Sequence, residues 1–332
     1  MLGAILAVLS GASFALNNVA ARRAVLTGTP IQGMAVTVPI GVLCFLPIAF
    51  ATGELARLAA FPAVAAAWMA GVGLLHFLFG RYCNYRANQS AGANLSGPVI
   101  QMQIVVTLAL AVIVLTEPCT LLQLLGGVVM FGGSFVTQSQ QSPRTRARAS
   151  AAAGSAAVAA FVPRYAEGMV FGSLAAIAYG TSPIMVRMAL QQTGPSSAIL
   201  GGLIAYASAT VAIAVLVVLS APLQRNVMAL RRESMPWFVY SGVMVALAQG
   251  FLFSAVAVAP IMLVVPLQQS SVVFRLIFSR LLNPTHEMFG TRVIIGAALS
   301  IVGACTVSID SGIILNAVGA TGELARLLQW HV

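Results

Sequence analysis

GAILAVLSGASFALNNVAARRAV (residues 3–25) and GMVFGSLAAIAYGTSPIMVRMAL (residues 168–190) read as two versions of one apolar segment. Set Gly3 on Gly168 and, at the same offset, Phe14 falls on Tyr179, Asn17 on Ser182, Arg22 on Arg187 and Pro30 on Pro195. Further along, Leu95, Pro98 and Gln101 fall on Leu263, Pro266 and Gln269, and Gly127 on Gly296; the offset drifts upward by the few residues that loop insertions add. Helices rich in Ala and Leu match by chance. The information lies in Gly, Pro, Arg and Gln holding register across successive segments.

Working outward, apolar stretches bounded by Arg, Pro or Gly-polar clusters predict spans at 2–21, 31–51, 63–88, 92–115, 121–138, 168–190, 197–220, 236–258, 261–282 and 288–309. Each is near the ~20 residues that cross a bilayer as a helix. Residues 1–21, 24–53, 58–80, 87–116 and 234–274 contain no Asp, Glu, Lys or Arg. The expected fold class is an all-α integral membrane protein, its ten transmembrane helices forming two five-helix repeats. Residues 1–138 make the first repeat, 139–167 a linker rich in Gln, Ser, Arg and Ala, 168–309 the second repeat, and 310–332 an amphipathic tail with Trp330 at headgroup level. Five is odd, so the second unit enters the membrane from the opposite side and the repeat is inverted. The opening MLGAILAVLSGASFA has the outline of a signal peptide, but it lacks a basic start and aligns with an internal segment. It is read as the first span.

Composition agrees. Of the 332 residues 59% are hydrophobic and 7% charged, against roughly a quarter charged in soluble domains. The net charge of +10 is carried by arginine alone, since the chain has no lysine. No basic stripe is interleaved with aromatics, which argues against a nucleic-acid partner. Cys44, Cys83, Cys119 and Cys305 stand apart in mostly apolar sequence and read as small core residues. No cofactor or metal is implied, and no Gly-rich Lys-Ser/Thr loop suggests ATP coupling. The octapeptide ATGELARL, at 51–58 and 320–327, predicts a short interfacial helix capped by its threonine.

Polar side chains at membrane depth are costly and generally face a bundle interior or an aqueous cavity. Those offered are Asn17, Asn18, His76, Arg81, Tyr85, Gln101, Gln103, Tyr179, Ser182, Gln249, Gln268, Gln269, Ser271 and Arg275. Gln268, Ser271 and Arg275 fall on one helical face, as do Arg81, Tyr85 and Asn88. Two arginines facing one cavity would grip a carboxylate or phosphate, which favours an anionic or zwitterionic substrate. For each amide the plainer reading is a hydrogen bond that glues helices together, and for His76 it is a neutral core residue. Pro98, Pro183 and Pro266 are candidate hinges or gates. The seven acids, Glu54, Glu117, Glu167, Glu233, Glu287, Asp310 and Glu323, fall at predicted ends or in loops. That distribution argues against proton-coupled efflux of lipophilic cations.

The first-span turns SFALNNVAARR and AIAYGTSPIMVR, the third-span ending NYRANQSAGANLSGPV and the stretch LTEPCTLLQLLGGVVMFGG resemble the ten-span EamA-like branch of the drug/metabolite transporter superfamily. The second half departs from that pattern, with His286 and Glu287 in NPTHEMFG where the first half has Glu117 and Pro118. The resemblance implies a secondary transporter, an exporter or exchanger of small polar metabolites such as amino acids or organic anions, working by alternating access. Its partners would be a small-molecule substrate and the lipid bilayer of a cell membrane, the bacterial inner membrane, as monomer or homodimer. The competing readings are a non-transporting receptor or assembly protein, whose repeat interface would be apolar and filled, and an intramembrane lipid-modifying enzyme, which needs clustered His, Asp, Glu or Cys. Orientation is contested: the loops after spans one, five, seven and nine hold most arginines, which places both termini outside, whereas ten-span relatives keep both in the cytoplasm.

Overall fold

The computed structural model describes residues 1–25, 27–91, 99–100, 102–116, 119–139, 164–282, 294–296, 298–299, 302–303 and 306. Among them there is no strand. In chain order the helices are α1 (Leu2–Ala24), α2 (Pro30–Ala51), α3 (Ala63–Val72), α4 (Arg81–Ala91), α5 (Gln103–Leu115), α6 (Leu121–Ser139), α7 (Tyr165–Thr193), α8 (Ala198–Leu219), α9 (Ala221–Met228), α10 (Met235–Val258), α11 (Ile261–Gln268) and α12 (Ser271–Leu282). A π-helical stretch, Gly73–Gly80, joins α3 to α4 without a break.

Among the described residues six helical segments are long and apolar enough to cross a membrane: Leu2–Ala21, Pro30–Ala51, Ala63–Ala87, Ala166–Thr193, Pro195–Leu219 and Met235–Val258. The shorter α5 is apolar as well. Large apolar side chains such as Leu43, Phe50, Ile113 and Val218 point outward, which suits lipid and not water.

Local chemistry sets several boundaries. Thr29 and Gln32 form a reciprocal capping box ahead of α2, with Pro30 in the first turn. The segment after α2 does form a short helix, Glu54–Ala60, of 3₁₀ type. Its Thr52 does not cap it in the expected way. Glu54 instead reaches across to α8, where its Oε2 accepts the Leu200 N–H at 2.9 Å. A carboxylate at a helix N-terminus satisfies an orphan donor and complements the dipole, and here it does so for a neighbouring helix.

The bundle packs reciprocally. α1 lies against α10, α11 and α12, while α7 lies against α3, the π-helical stretch, α4 and α5. α2 and α8 pack on each other; α2 also meets α10, and α8 meets α3 and the π-helical stretch. Glycines permit the closest approaches. A Cβ on Gly73 would sit 2.1 Å from the Ala205 carbonyl oxygen, so α8 runs against the start of the π-helical stretch. Phe77, at its buried centre, stacks on Tyr206 at 4.0 Å, and Phe45 tilts against the same ring at 5.3 Å.

One expectation needs correction. Residues 261–282 are not one helix: α11 ends at Gln268, the Ser270 N–H closes a tight turn onto the Leu267 carbonyl, and α12 starts at Ser271. Gln268, Ser271 and Arg275 therefore do not share a face of a continuous helix. Two physical causes converge. Pro266 supplies no N–H to the preceding turn, and Gly11 of α1 brings its backbone so close that a Cβ there would lie 2.6 Å from the Gln268 carbonyl oxygen. The second helical unit also starts earlier than expected, with Tyr165 already helical. Pro98, Gln101, Glu117, Pro118, His286, Glu287, Cys305, the second ATGELARL, the tail, most of the linker and most of residues 288–309 lie outside the described residues.

Candidate functional site

Pro183 is buried within α7 and has no N–H to give to the carbonyl of Tyr179 one turn earlier. Ser182 fills that gap, its Oγ donating to the Tyr179 carbonyl at 3.3 Å. The serine oxygen is then free to accept from His76 Nδ1, 2.7 Å away. On the other side of the ring, Gln249 of α10 presents its amide nitrogen to His76 Nε2 at 2.8 Å. With Nδ1 donating and Nε2 accepting, His76 is engaged as a neutral imidazole. The π-helical stretch sets this position, since widening a turn re-aims a side chain without breaking the helix.

One turn on, Arg81 is buried. Its Nη1 donates to Thr37 Oγ1 of α2 at 2.9 Å, the Tyr206 hydroxyl of α8, which donates to the Val245 carbonyl at 3.4 Å, lies beside it, and its guanidinium carbon lies 5.5 Å from the Phe77 ring centre. Thr37 also engages the Tyr85 hydroxyl. Asn84 donates to the Tyr179 hydroxyl at 3.3 Å, and the Tyr179 ring lies 4.6 Å from that of His76. Side chains from α2, the third span, α7, α8 and α10 thus form one polar and aromatic layer.

Of the residues singled out in the sequence, His76, Arg81, Tyr85, Tyr179, Ser182 and Gln249 come together here. Asn17 lies apart, accepting from Ser241 of α10 at 2.6 Å, and Asn18 is exposed. Gln268 donates to Ser10 at 3.1 Å, and Ser10 donates to the Ala248 carbonyl at 2.8 Å, making a second polar contact between α1, α10 and α11. Gln269 is buried, and Gln103 opens α5. Arg275 lies on α12, whose packing partner is α1, and the contacts of Arg81 run to α2 and α8 instead.

Asn84, the residue before Tyr85, was passed over in the sequence reading, and so were Thr37 and Tyr206. The available signal was a hydroxyl placed well inside an apolar span. Among the described residues the ion pairs are Arg86 and Arg164 with Glu167, where α4 ends and α7 begins. Among the described residues no group of three or more His, Cys, Asp or Glu could hold a metal.

Apolar helices of membrane-crossing length, tied together by buried polar contacts, define a multi-pass integral membrane protein. The EamA-like transporter family matches residues 1–138 and 166–309, and the chain belongs to that family. A solved structure titled "Crystal structure of protein" superposes with a TM-score of 0.66 at 14% identity, over 95% of this chain and 98% of its own. That likeness shows the fold. No curated protein matches the chain.

Proposed function

We propose that the chain is a secondary transporter that exports or exchanges small polar metabolites, amino acids or organic anions, by alternating access between two inverted five-helix repeats. The observation that carries this reading is His76. It stands in the first half of the chain and is hydrogen-bonded through both ring nitrogens to α7 and α10 of the second half. A polar layer shared by two halves is what a site exposed alternately to each side requires.

The packing supports the inverted arrangement. The first span lies on the eighth and the sixth lies on the third, the exchange that a pseudo-twofold axis in the membrane plane generates. Gly11 faces the Gln268 carbonyl, and Gly180, where a Cβ would sit 2.7 Å from it, faces the Gln103 carbonyl. Each first-of-repeat helix therefore meets the backbone of the other half's fourth span. Pro183 is the hinge this reading favours, because its orphan carbonyl is already held by Ser182.

The test is a counterflow screen of purified protein in proteoliposomes against a metabolite panel. Uptake that saturates and depends on internal substrate is expected, with His76→Leu lowering it about tenfold or more, the size of losing one to two buried hydrogen bonds. Protein that stays folded yet moves nothing across the panel would refute the reading.

A further inference from the structure

Resting on this transporter reading, we infer that Arg81 anchors the substrate's carboxylate and that the site takes organic monoanions in preference to zwitterionic amino acids. Arg81 is 6% exposed. Among the described residues it has no carboxylate partner, since both ion pairs lie at Glu167. Its neighbours are neutral: the hydroxyls of Thr37 and Tyr206 and the face of Phe77. A guanidinium carries more donors than two hydroxyls can take. Arg81 keeps a small exposed fraction, and none of its nitrogens is at once sealed off and without a partner. A planar fork with donors to spare matches a carboxylate in a way that a lone ammonium could not.

Charge decides between an acid and an amino acid. Within the layer Arg81 is the fixed charge, because His76 is engaged as a neutral ring. Every acid in the sequence falls at the end of an apolar segment or in a loop. An unpaired buried charge is unfavourable, and a monoanion cancels it. An α-amino acid carries its ammonium within a few ångströms of its own carboxylate and so brings it beside the guanidinium. No carboxylate of the described layer waits there to receive it, and like charges repel strongly at low dielectric. An amine adds charge outright.

Matched sets of monocarboxylate, α-amino acid and primary amine, on a short aliphatic and on an aromatic skeleton, test this in proteoliposomes by counterflow. The monocarboxylate of the preferred skeleton is expected to exchange at least about tenfold faster than its amino acid. Arg81→Lys should retain part of that flux and Arg81→Gln none. Because Arg81 variants could fail to fold, thermal shift of the wild-type protein by the same compounds supplies a second readout, and stabilisation by the carboxylates alone is expected. Amino acids or amines moving faster than the acids, or acid flux indifferent to Arg81→Gln, would overturn the inference and leave the transporter reading intact. No flux for any compound on the wider metabolite panel would overturn both.

Discussion

Single side chains do different work in this molecule according to what they touch. Glu54 is buried and accepts the Leu200 N–H at the start of α8, so its role is structural although it is an acid close to the membrane. Glu54→Ala leaves that donor without an acceptor and should cost about 1–3 kcal/mol. The expected result is a lower Tm in detergent with transport per folded molecule unchanged; loss of transport at normal Tm would place Glu54 in the pathway instead. His76 is legible in the sequence as a polar residue at depth, and its plainer reading as a neutral, hydrogen-bonded group fits the contacts it makes. Its partners were not legible, because which helices meet in space is not written in local periodicity. Thr37 and Tyr206 show the same limit: a hydroxyl in an apolar span becomes informative only once Arg81 is seen beside it.

Helices are held by close backbone approach as much as by apolar area, and glycine marks where. A methyl group on Gly73 would meet the Ala205 backbone oxygen at 2.1 Å, whereas one on Gly132 would meet nothing within 4 Å among the described residues. Gly73→Ala should therefore push α8 off the π-helical stretch and cost about 1–3 kcal/mol as an overpacking change. Gly132→Ala should stabilise by about 0.5–1 kcal/mol, the ordinary gain of alanine within a helix. Thermal unfolding of the two variants checks the contrast, and equal effects would contradict the packing described. Apolar length in the sequence marked the six long helical segments found among the described residues, because a bilayer span needs little beyond length and the absence of charge. The break at Gln268–Ser271 was not predicted. Pro266 was visible, but the approach of Gly11 that accompanies the break comes from a helix more than two hundred residues away.

At the scale of the whole molecule, the two ends of the bundle differ in charge. Arg23 stacks on Trp237 at 4.6 Å, and Arg225, Arg231 and Arg232 are exposed at the same end, whereas Arg57 lies at the opposite end beside Ser196. The positive-inside rule places the first of these ends in the cytoplasm. A cysteine at Ala229 should then be shielded from an impermeant thiol reagent in intact cells, and one at Ala56 should be labelled. The reverse pattern would give the orientation expected of the ten-span relatives. The aligned Gly, Pro, Arg and Gln suggested the repeat in the sequence, and the packing of α1 on α10 and of α7 on the third span is what the proposed inverted arrangement would give. The preference for monoanions proposed above was not legible there, since the neutral surroundings of Arg81 that suggest it come from α2 and α8. The most direct test of the central claim is counterflow of labelled metabolites by wild-type protein and by His76→Leu and Gln249→Leu in proteoliposomes. The account predicts saturable uptake driven by internal substrate, falling about tenfold or more when either bridging side chain is lost. Saturable uptake untouched by both substitutions would contradict a transport site at this polar layer.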